Sequence, residues 1–235
     1  MKAFLLAAGK GERLRPLTDT LPKCLVSIQS IPLLAIWLEL CHRHGISEIL
    51  VNTHSYPGVV KTFLREHSNG IGVHITEEEV LLGSAGTLLK NRNWVTDERD
   101  FWIFYGDVLT NMNLTHMLEF HRHRNLIATM GVYEVTNPEQ CGIVTVDSEN
   151  VVQEFTEKPA NPSSNLAFSG ILVATPMIFD VMPHRIPADI GFDVLPKLVG
   201  RIAAYPISEY LLDVGTPASY QNAQLTWPGS GALAQ

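Results

Sequence analysis

Three features of the 235-residue sequence predict an α/β fold. Short apolar runs typical of buried strands alternate with longer segments that carry helix start and stop signals. Glycine-rich or aspartate-containing motifs follow several of these runs, at the position where open parallel sheets bind ligands. After about residue 137 the pattern changes to short strands and hairpins. We therefore predict a three-layer α/β fold, a Rossmann-like and mainly parallel sheet, with a smaller β-rich part.

The first part of the chain supplies the elements of the parallel sheet. A first strand is expected at residues 3–8, and a first helix at 32–44, with a proline near its start and Gly45 beyond its end. Further strands are predicted at residues 48–52, 73–76, 101–105 and 127–135. Further helices are predicted at residues 59–67 and 114–124. Strands that alternate with helices at this spacing indicate a parallel sheet.

The second part of the chain is predicted to be richer in strands. A hairpin is expected from residues 143–146 and 151–156, followed by strands at 166–173, 202–207 and 210–214. Helical pieces are expected at residues 177–182, 194–201 and 218–225, and residues 226–235 are expected to form a flexible tail. We predict one domain over residues 1–225, with one part at 1–137 and another at 138–210.

Composition and charge exclude several classes of protein. The sequence is 46% hydrophobic and 17% charged, and no apolar run reaches the roughly 18–20 residues of a membrane span. No signal peptide is evident, and three cysteines without paired spacing fit reduced thiols, so we expect a cytoplasmic protein. A formal net charge of −7 argues against nucleic-acid binding. A monomer and a homodimer both remain open.

A glycine turn with nearby cations follows the first predicted strand. Gly9 and Gly11 let backbone N–H groups approach an anion closely, because neither residue has a Cβ. Arg13, Arg15 and Lys23 add fixed positive charges within reach of the turn. Amide donors and point charges together suit a polyphosphate. This stretch predicts a triphosphate site.

Two common glycine motifs do not account for the same stretch. The dinucleotide-binding fingerprint needs a third glycine at the position that Leu14 occupies. A P-loop needs Gly-Lys-Ser/Thr at the end of a longer loop, and that pattern is absent from the turn. Hydride transfer and P-loop chemistry are therefore disfavoured.

The pattern Gly-x-Gly-x-Arg-x-x-Pro-Leu-Thr followed by Pro-Lys runs from Gly9 to Lys23 without a gap. It resembles the signature of the sugar-1-phosphate nucleotidyltransferases, the nucleotide-sugar pyrophosphorylases. The resemblance implies transfer of a nucleoside monophosphate from a nucleoside triphosphate to a sugar 1-phosphate, with catalytic roles for Arg13, Lys23 and Lys158. It also implies nucleotide contacts along two loops, at Leu6, Ala8, Gly9, Gly11, Glu79, Gly83, Ser84 and Gly86.

Two aspartates are candidate metal ligands. Asp107 directly follows an apolar strand and Gly106, and Asp213 lies in Leu-Asp-Val-Gly-Thr-Pro. Mg²⁺ in such sites takes one or two carboxylates, phosphate oxygens and water. An aspartate in either place could equally be a turn or capping residue. The family resemblance implies that both are ligands of Mg²⁺.

The β-rich part is expected to bind the sugar. Glu157-Lys158-Pro159 matches a family motif in which the glutamate holds sugar hydroxyls and the lysine holds the sugar phosphate. The resemblance also implies that Gly142 lies against the sugar and that Ser169 contributes to the same site. A compact lysine charge suits a phosphate that must be held without bidentate geometry.

The nucleobase and the sugar are predicted from the residues around the second glycine loop. Gly83-Ser-Ala-Gly86 resembles the loop of mannose-1-phosphate guanylyltransferases, and three glutamates at 77–79 precede it without any glutamine. A carboxylate only accepts hydrogen bonds, which suits the donors of guanine. This favours GTP with mannose 1-phosphate or a related sugar. Phe168-Ser169-Gly170 instead resembles N-acetylmuramate-1-phosphate uridylyltransferases, so UTP or dTTP remains an alternative.

Other chemical classes receive less support. A metal-dependent glycosyltransferase usually carries Asp-x-Asp, whereas Asp107 is followed by Val-Leu. The His42/His44 and His121/His123 pairs have i,i+2 spacing, which points the side chains apart on a helix, and they are expected on solvated faces. The implied reaction needs no general base, because the second pKa of a phosphate monoester is about 6.

Overall fold

The computed structural model describes residues 1–68 and 70–230, which form two compact units. Unit 1 consists of Met1–Leu81, Phe104–Asn113 and the segment from Glu209 onward. Unit 2 consists of Leu82–Ile103 and Leu114–Ser208. Each unit is assembled from separate stretches of the chain, so neither unit corresponds to residues 1–137 or to residues 138–210. The predicted division at residue 137 stays a prediction.

The strands carry the labels β1 to β13 in chain order. They are β1 (Lys2–Leu6), β2 (Ser27–Ile28), β3 (Ile31–Pro32), β4 (Glu48–Thr53), β5 (Gly72–Glu77), β6 (Phe101–Tyr105), β7 (Val108–Thr110), β8 (Ala128–Glu134), β9 (Gly142–Val146), β10 (Val152–Glu157), β11 (Leu166–Ala174), β12 (Ile202–Pro206) and β13 (Leu211–Asp213). The α-helices are α1 (Leu33–Arg43), α2 (Pro57–His67), α3 (Ser84–Lys90), α4 (Leu114–Arg124), α5 (Leu195–Leu198) and α6 (Pro217–Thr226).

Unit 1 contains a parallel sheet. Strand β4 pairs in parallel with β1 and with β5, and the register places Asn52 opposite Leu6 on one side and Thr76 on the other. The carboxyl ends of the three strands therefore lie at one edge, where ligands bind in open α/β sheets. The two short strands β7 and β13 form a separate antiparallel pair.

Unit 2 is richer in antiparallel pairs. Strand β9 pairs antiparallel with β10 and β11, and β11 pairs antiparallel with β8, while β12 joins β8 in parallel. The α/β class is confirmed, with a parallel sheet in unit 1 and a β-rich unit 2. The four-residue helix α5 follows a short π-helix, Ile190–Val194.

The core of unit 1 explains why its helices are held in place. Trp37 of α1 stacks on Phe104 with ring centroids 4.6 Å apart. A second cluster joins α1, β2, β7 and α6 through Ile28, Leu33, Ile36, Leu109, Val214, Ala223 and Trp227. Burial of such large side chains contributes about 1.5–3 kcal/mol each.

The first two residues of the predicted tail are part of the packed structure of unit 1. Thr226 is the last residue of α6, and Trp227 is only 4% exposed. The Trp227 ring meets Tyr210 edge-on at 5.2 Å, and its carbonyl oxygen accepts a hydrogen bond from Gln29 Nε2 at 2.9 Å. Residues 231–235 of the predicted tail lie outside the described residues.

The structure tests the predicted exposure of His121 and shows the state of two cysteines. The expectation that His121 lies on a solvated face is wrong, because its ring is buried and its Nδ1 lies 3.0 Å from Thr129 Oγ1. The i,i+2 rule separated it from His123 but could not say which of the two faces inward. Cys24 and Cys41 are free thiols, and burial raises the pKa of each to about 12, which makes both unreactive near neutral pH.

Candidate active site

The glycine turn of unit 1 is anchored at its start and near its end. The backbone N–H of Ala7 donates to Asn52 Oδ1 at 2.7 Å, which ties the end of β1 to the end of β4. Thr18 Oγ1 donates to the Gly11 carbonyl oxygen at 2.7 Å. Gly11 has a φ of +68°, and a Cβ there would lie 2.9 Å from Thr18 Cγ2. A Cβ on Gly9, by contrast, would meet nothing within 4 Å.

The predicted cations of this segment have different surroundings. Lys23 is buried, and its Nζ donates to Asp107 Oδ2 at 2.6 Å. Arg15 is exposed and pairs with Asp19 at 3.3 Å, an arrangement of small energetic value at a surface. Arg13 is exposed, and its Nη2 lies 3.1 Å from the position that a Cβ on Gly215 would take. Lys23 and Arg13 therefore lie beside the two predicted aspartate motifs.

The two predicted metal ligands are brought together by the β7–β13 pair. Asp107 immediately precedes β7, and Asp213 is the last residue of β13, opposite Val108. The Val214 N–H donates to the Asp107 carbonyl oxygen at 2.9 Å. The two aspartates therefore occupy adjacent ends of two short strands. A Cβ on Gly215 would overlap Asp213 Oδ1, so a side chain there would displace the Asp213 carboxylate.

These carboxylates can be compared with what Mg²⁺ requires. Among residues 1–68 and 70–230, no cluster of three or more His, Cys, Asp or Glu side chains could hold a metal. A site built on Asp107 and Asp213 therefore supplies two carboxylates and leaves other positions for phosphate oxygens and water. That donor set fits Mg²⁺, which keeps several waters and often uses only one or two carboxylates.

The three glutamates before Gly83 are not equivalent. Glu77 pairs with Lys61, and Glu79 is exposed. Glu78 is buried, and its Oε1 accepts a hydrogen bond from Asn52 Nδ2 at 2.8 Å. Because Asn52 also accepts from Ala7, one amide links Glu78 to the glycine turn. The nucleobase contact assigned to Glu79 stays a prediction.

In unit 2 the second glycine loop forms the start of α3, a helix that the sequence reading did not identify. The N–H groups of Ala85 and Gly86 both donate to the Ala188 carbonyl oxygen, at 3.0 and 3.1 Å. Gly83 has a φ of +77°, and a Cβ there would overlap that same carbonyl oxygen. The space beside Gly83 is thus filled by the protein. Nucleotide contacts at Gly83, Ser84 and Gly86 stay predictions.

Ser84 and Asp189 connect this loop to a distant part of the chain. Ser84 Oγ donates to Asp189 Oδ2 at 2.8 Å and accepts from the Ile190 N–H at 2.7 Å. Asp189 is the N-cap residue of the π-helix, and its Oδ1 accepts from the Phe192 N–H at 3.1 Å. Both oxygens of this carboxylate are therefore hydrogen-bonded.

The Glu157 carboxylate lies between two glycines. A Cβ on Gly142 would be 2.6 Å from Glu157 Oε2, and a Cβ on Gly191 would be 2.5 Å from the same atom. Burial raises the pKa of Glu157, the Lys158 ammonium opposes that shift, and the Asp189 carboxylate adds to it. Lys158 has a φ of +50°, and its N–H donates to the Cys141 carbonyl oxygen at 2.9 Å. Gly142 and Glu157 are thus close together, and their contact with a sugar stays a prediction.

Ser169 is in a different environment. It is 3% exposed, and a Cβ on Gly131 of the neighbouring strand β8 would lie 2.6 Å from Ser169 Oγ. Its Oγ accepts a hydrogen bond from the Ile171 N–H at 3.3 Å. Its role in sugar binding stays a prediction.

Two residues of these networks were not anticipated. Asn52 ends a predicted strand at the ligand edge of the sheet, and a polar residue in an apolar run was the signal available there. The link between Asp189 and the second glycine loop had no such signal, because Ser84 lies 105 positions away along the chain.

The fold and these motifs together define an α/β protein whose glycine turn, cations and paired aspartates occupy unit 1. A family model described as nucleotidyl transferase matches residues 2–228. The chain belongs to the nucleotidyl transferase family. No helix among the described residues is both long enough and apolar enough to span a membrane.

Named relatives agree with this family. The chain is 29% identical over 226 residues to the mannose-1-phosphate guanylyltransferase catalytic subunit beta of Xenopus tropicalis. It is 31% identical over 227 residues to a mannose-1-phosphate guanyltransferase of Schizosaccharomyces pombe. Both alignments cover 94% of this chain and 62% of the relative, so the chain spans less than two thirds of the length of these relatives.

Solved structures share the fold at lower sequence identity. HddC from Yersinia pseudotuberculosis superposes with a TM-score of 0.80 at 21% identity, with 96% of this chain and 99% of that chain covered. A UDP-glucose pyrophosphorylase complexed with UDP-glucose has a TM-score of 0.83 at 21% identity, with coverage of 96% and 97%.

Proposed function

We propose that the protein transfers a nucleoside monophosphate from a nucleoside triphosphate to a sugar 1-phosphate, with release of pyrophosphate. The observation that carries this proposal is the Lys23–Asp107 pair beside an anchored glycine turn, with Nζ and Oδ2 2.6 Å apart. A buried cation, open backbone at Gly9 and a second aspartate on the paired strand are the groups that a triphosphate with its metal requires.

The proposed chemistry is an in-line displacement at the α-phosphorus. The sugar phosphate oxygen attacks and pyrophosphate leaves. Because that oxygen is largely ionised at pH 7, the protein needs to position and neutralise charge and does not need to remove a proton. Arg13, Arg15 and Lys23 would neutralise the negative charge of the triphosphate. The thiols of Cys24 and Cys41 are buried and take no part in the proposed reaction.

Asp107 and Asp213 would hold Mg²⁺, which screens the negative charge of the phosphates when bound. In unit 2, Glu157 would accept hydrogen bonds from sugar hydroxyls, and Lys158 would bind the sugar phosphate. The glycines at 142 and 191 favour this role for Glu157, because they leave the carboxylate in a defined place without covering it with side chains.

For the substrates we propose GTP with mannose 1-phosphate or a related sugar. The names of the relatives from Xenopus tropicalis and Schizosaccharomyces pombe agree with this choice. The carboxylates before Gly83 also agree with it, since guanine presents donors and uracil presents mainly acceptors. A UTP- or dTTP-dependent reaction is the second candidate, favoured by the Phe168-Ser169-Gly170 motif.

The test is a substrate panel. Purified protein with Mg²⁺ is given equal GTP, UTP, dTTP, CTP and ATP with mannose 1-phosphate, glucose 1-phosphate and N-acetylated sugar 1-phosphates, and products are identified by mass. We expect pyrophosphate and a GDP-sugar, and loss of both when the metal is chelated. A UDP- or dTDP-sugar as the main product would refute the base assignment. No pyrophosphate with any pair would refute the enzyme proposal itself.

A further inference from the structure

Asp189 is held rigidly although it belongs to an irregular segment. Its N–H donates to Asp193 Oδ2 at 2.8 Å, and its two carboxylate oxygens accept from Phe192 and from Ser84. Asp193 is itself bonded to Arg185 Nη2 at 2.5 Å. The backbone N–H and one carboxylate oxygen of Asp189 are therefore held within its own turn, and the other oxygen is bonded to Ser84 in another segment.

That contact is part of a larger attachment. Ser84 inserts its hydroxyl between the Asp189 carboxylate and the Ile190 N–H, while the Ala188 carbonyl accepts from the first turn of α3. The Ala188 N–H donates back to the Leu82 carbonyl oxygen at 2.9 Å. The second glycine loop therefore cannot shift without moving the turn that carries Asp189.

The same turn touches Glu157. Gly191 lies between the two carboxylates, since a Cβ there would be 2.5 Å from Glu157 Oε2 and 3.2 Å from Asp189 Oδ1. Glu157 is faced by Lys158, which directly follows β10, by Asp189 at the N-cap of the π-helix, and by the uncharged Gly142 on β9. Asp189 is thus adjacent both to the Ser84 loop and to the candidate sugar carboxylate.

We propose that Asp189 is a positioning residue that couples the Ser84 loop to Glu157, so that one carboxylate sets both substrate-facing parts of unit 2. This inference rests on the proposed function, which assigns one substrate to the Ser84 loop and the other to Glu157. The Ser84 loop would contact the nucleotide and Glu157 the sugar. Disturbing either end of the Ser84–Asp189 bond should then impair the use of both substrates.

Kinetics of five variants test the coupling. We expect Ser84→Ala and Asp189→Asn each to lower kcat/KM for both substrates about tenfold, because a hydrogen bond to a charged group is lost or weakened. The double variant should lose about tenfold rather than about a hundredfold, because both changes remove the same interaction. Ser84→Thr, which keeps the hydroxyl, should retain most activity, and so should Asp180→Asn, an exposed control on a neighbouring segment.

Additive losses in the double variant would overturn the proposal, as would a Ser84→Ala defect confined to the nucleoside triphosphate. If Asp189→Asn does not fold, Ser84→Ala with its Ser84→Thr rescue still gives the result for both substrates. Thermal unfolding of each variant separates a general loss of stability from a change in substrate use.

A second readout does not depend on catalysis. The ¹³C carboxyl resonance of Glu157, assigned with Glu157→Gln, is titrated in the wild-type protein, Asp189→Asn and Asp180→Asn. Removal of the Asp189 charge should lower the pKa of Glu157, and Asp180→Asn should leave it unchanged. An unchanged Glu157 pKa in Asp189→Asn would overturn the proposal. An inactive wild-type protein would refute the proposed function and leave this titration valid.

Discussion

The loops that begin at Gly9 and at Gly83 look alike in sequence and differ in structure. Both are small-residue segments that follow a strand, one in unit 1 and one in unit 2. A Cβ on Gly9 would enter open space, whereas a Cβ on Gly83 would overlap the Ala188 carbonyl oxygen. The first glycine leaves room beside the chain, and the second lets two segments of the protein pack.

Glycine therefore has two structural roles in these loops, and the sequence motif alone does not distinguish them. Open space beside Gly9 is what close approach of a phosphate requires. The filled space beside Gly83 is what close packing of helix α3 on the Asp189 turn requires. Changes in the Gly9 loop should therefore affect activity more than stability, and the reverse should hold at Gly83.

The largest effect is expected at Gly83. Gly83→Ala should lower the free energy of unfolding by about 3 kcal/mol, because its φ of +77° and ψ of 163° suit only glycine and because the new Cβ overlaps Ala188. Urea unfolding measures this change. Gly200→Ala is the control, since Gly200 has the same φ of +77° with open space around it. Equal losses in the two variants would show that packing against Ala188 contributes nothing.

The next effect concerns Asp107 in unit 1. Asp107→Asn should lower kcat about a hundredfold, or about 2.7 kcal/mol of activation free energy, because a neutral amide is a poor substitute for a carboxylate facing a cation. The amide oxygen can still accept from Lys23 but leaves its buried ammonium uncompensated, so thermal unfolding is measured beside kcat to separate lost stability from lost catalysis. Pyrophosphate release under saturating substrates measures kcat, with exposed Glu66→Gln as the control. Full activity in Asp107→Asn would remove this residue from the site.

Gly9→Ala should give a smaller effect, and one on binding. The thermal midpoint should stay unchanged because the Cβ has room, while KM for the nucleoside triphosphate should rise about tenfold because the methyl group keeps phosphate from the backbone. Gly58→Ala, also without a neighbour within 4 Å, is the control for the added methyl group. An unchanged KM would mean that the open space at Gly9 is not used by the substrate.

The smallest effect, on the pH dependence of stability, is expected from His121, whose side chain is buried in unit 2. Burial lowers its pKa in the folded state, and the nearby Asp100 opposes that shift. The unfolded chain therefore binds more protons below about pH 6.5, and stability is lost as the pH falls through that range toward the folded pKa. The slope from one such group is at most about 1.4 kcal/mol per pH unit.

His121→Gln should flatten this part of the pH dependence, measured by urea unfolding between pH 7 and pH 5. His123→Gln, on the exposed face of α4, should leave the wild-type slope unchanged. The same slope in His121→Gln and in the wild-type protein would assign the acid sensitivity to other groups.

The sequence predicted the elements with strong local signals and missed those that depend on distant contacts. Strand β6 and helix α4 were predicted with the bounds that the structure has, because both have uniform patterns with clear ends. Helix α3 was missed because its first turn is capped by the Ala188 carbonyl, about a hundred residues away. The nearness of Gly142 to Glu157 could be expected from a hairpin, whereas Asp189 could not.

The order in which unit 1 is made follows from its division along the chain. Ribosomes release the amino end first, so every residue of unit 2 has been synthesised before the stretch that starts at Glu209. That late stretch carries Asp213, which takes its place only when β13 pairs with β7. A nascent chain therefore holds all of unit 2 while the two candidate metal ligands are still apart. The proposed divalent-cation site can therefore form only after all of unit 2 has been synthesised.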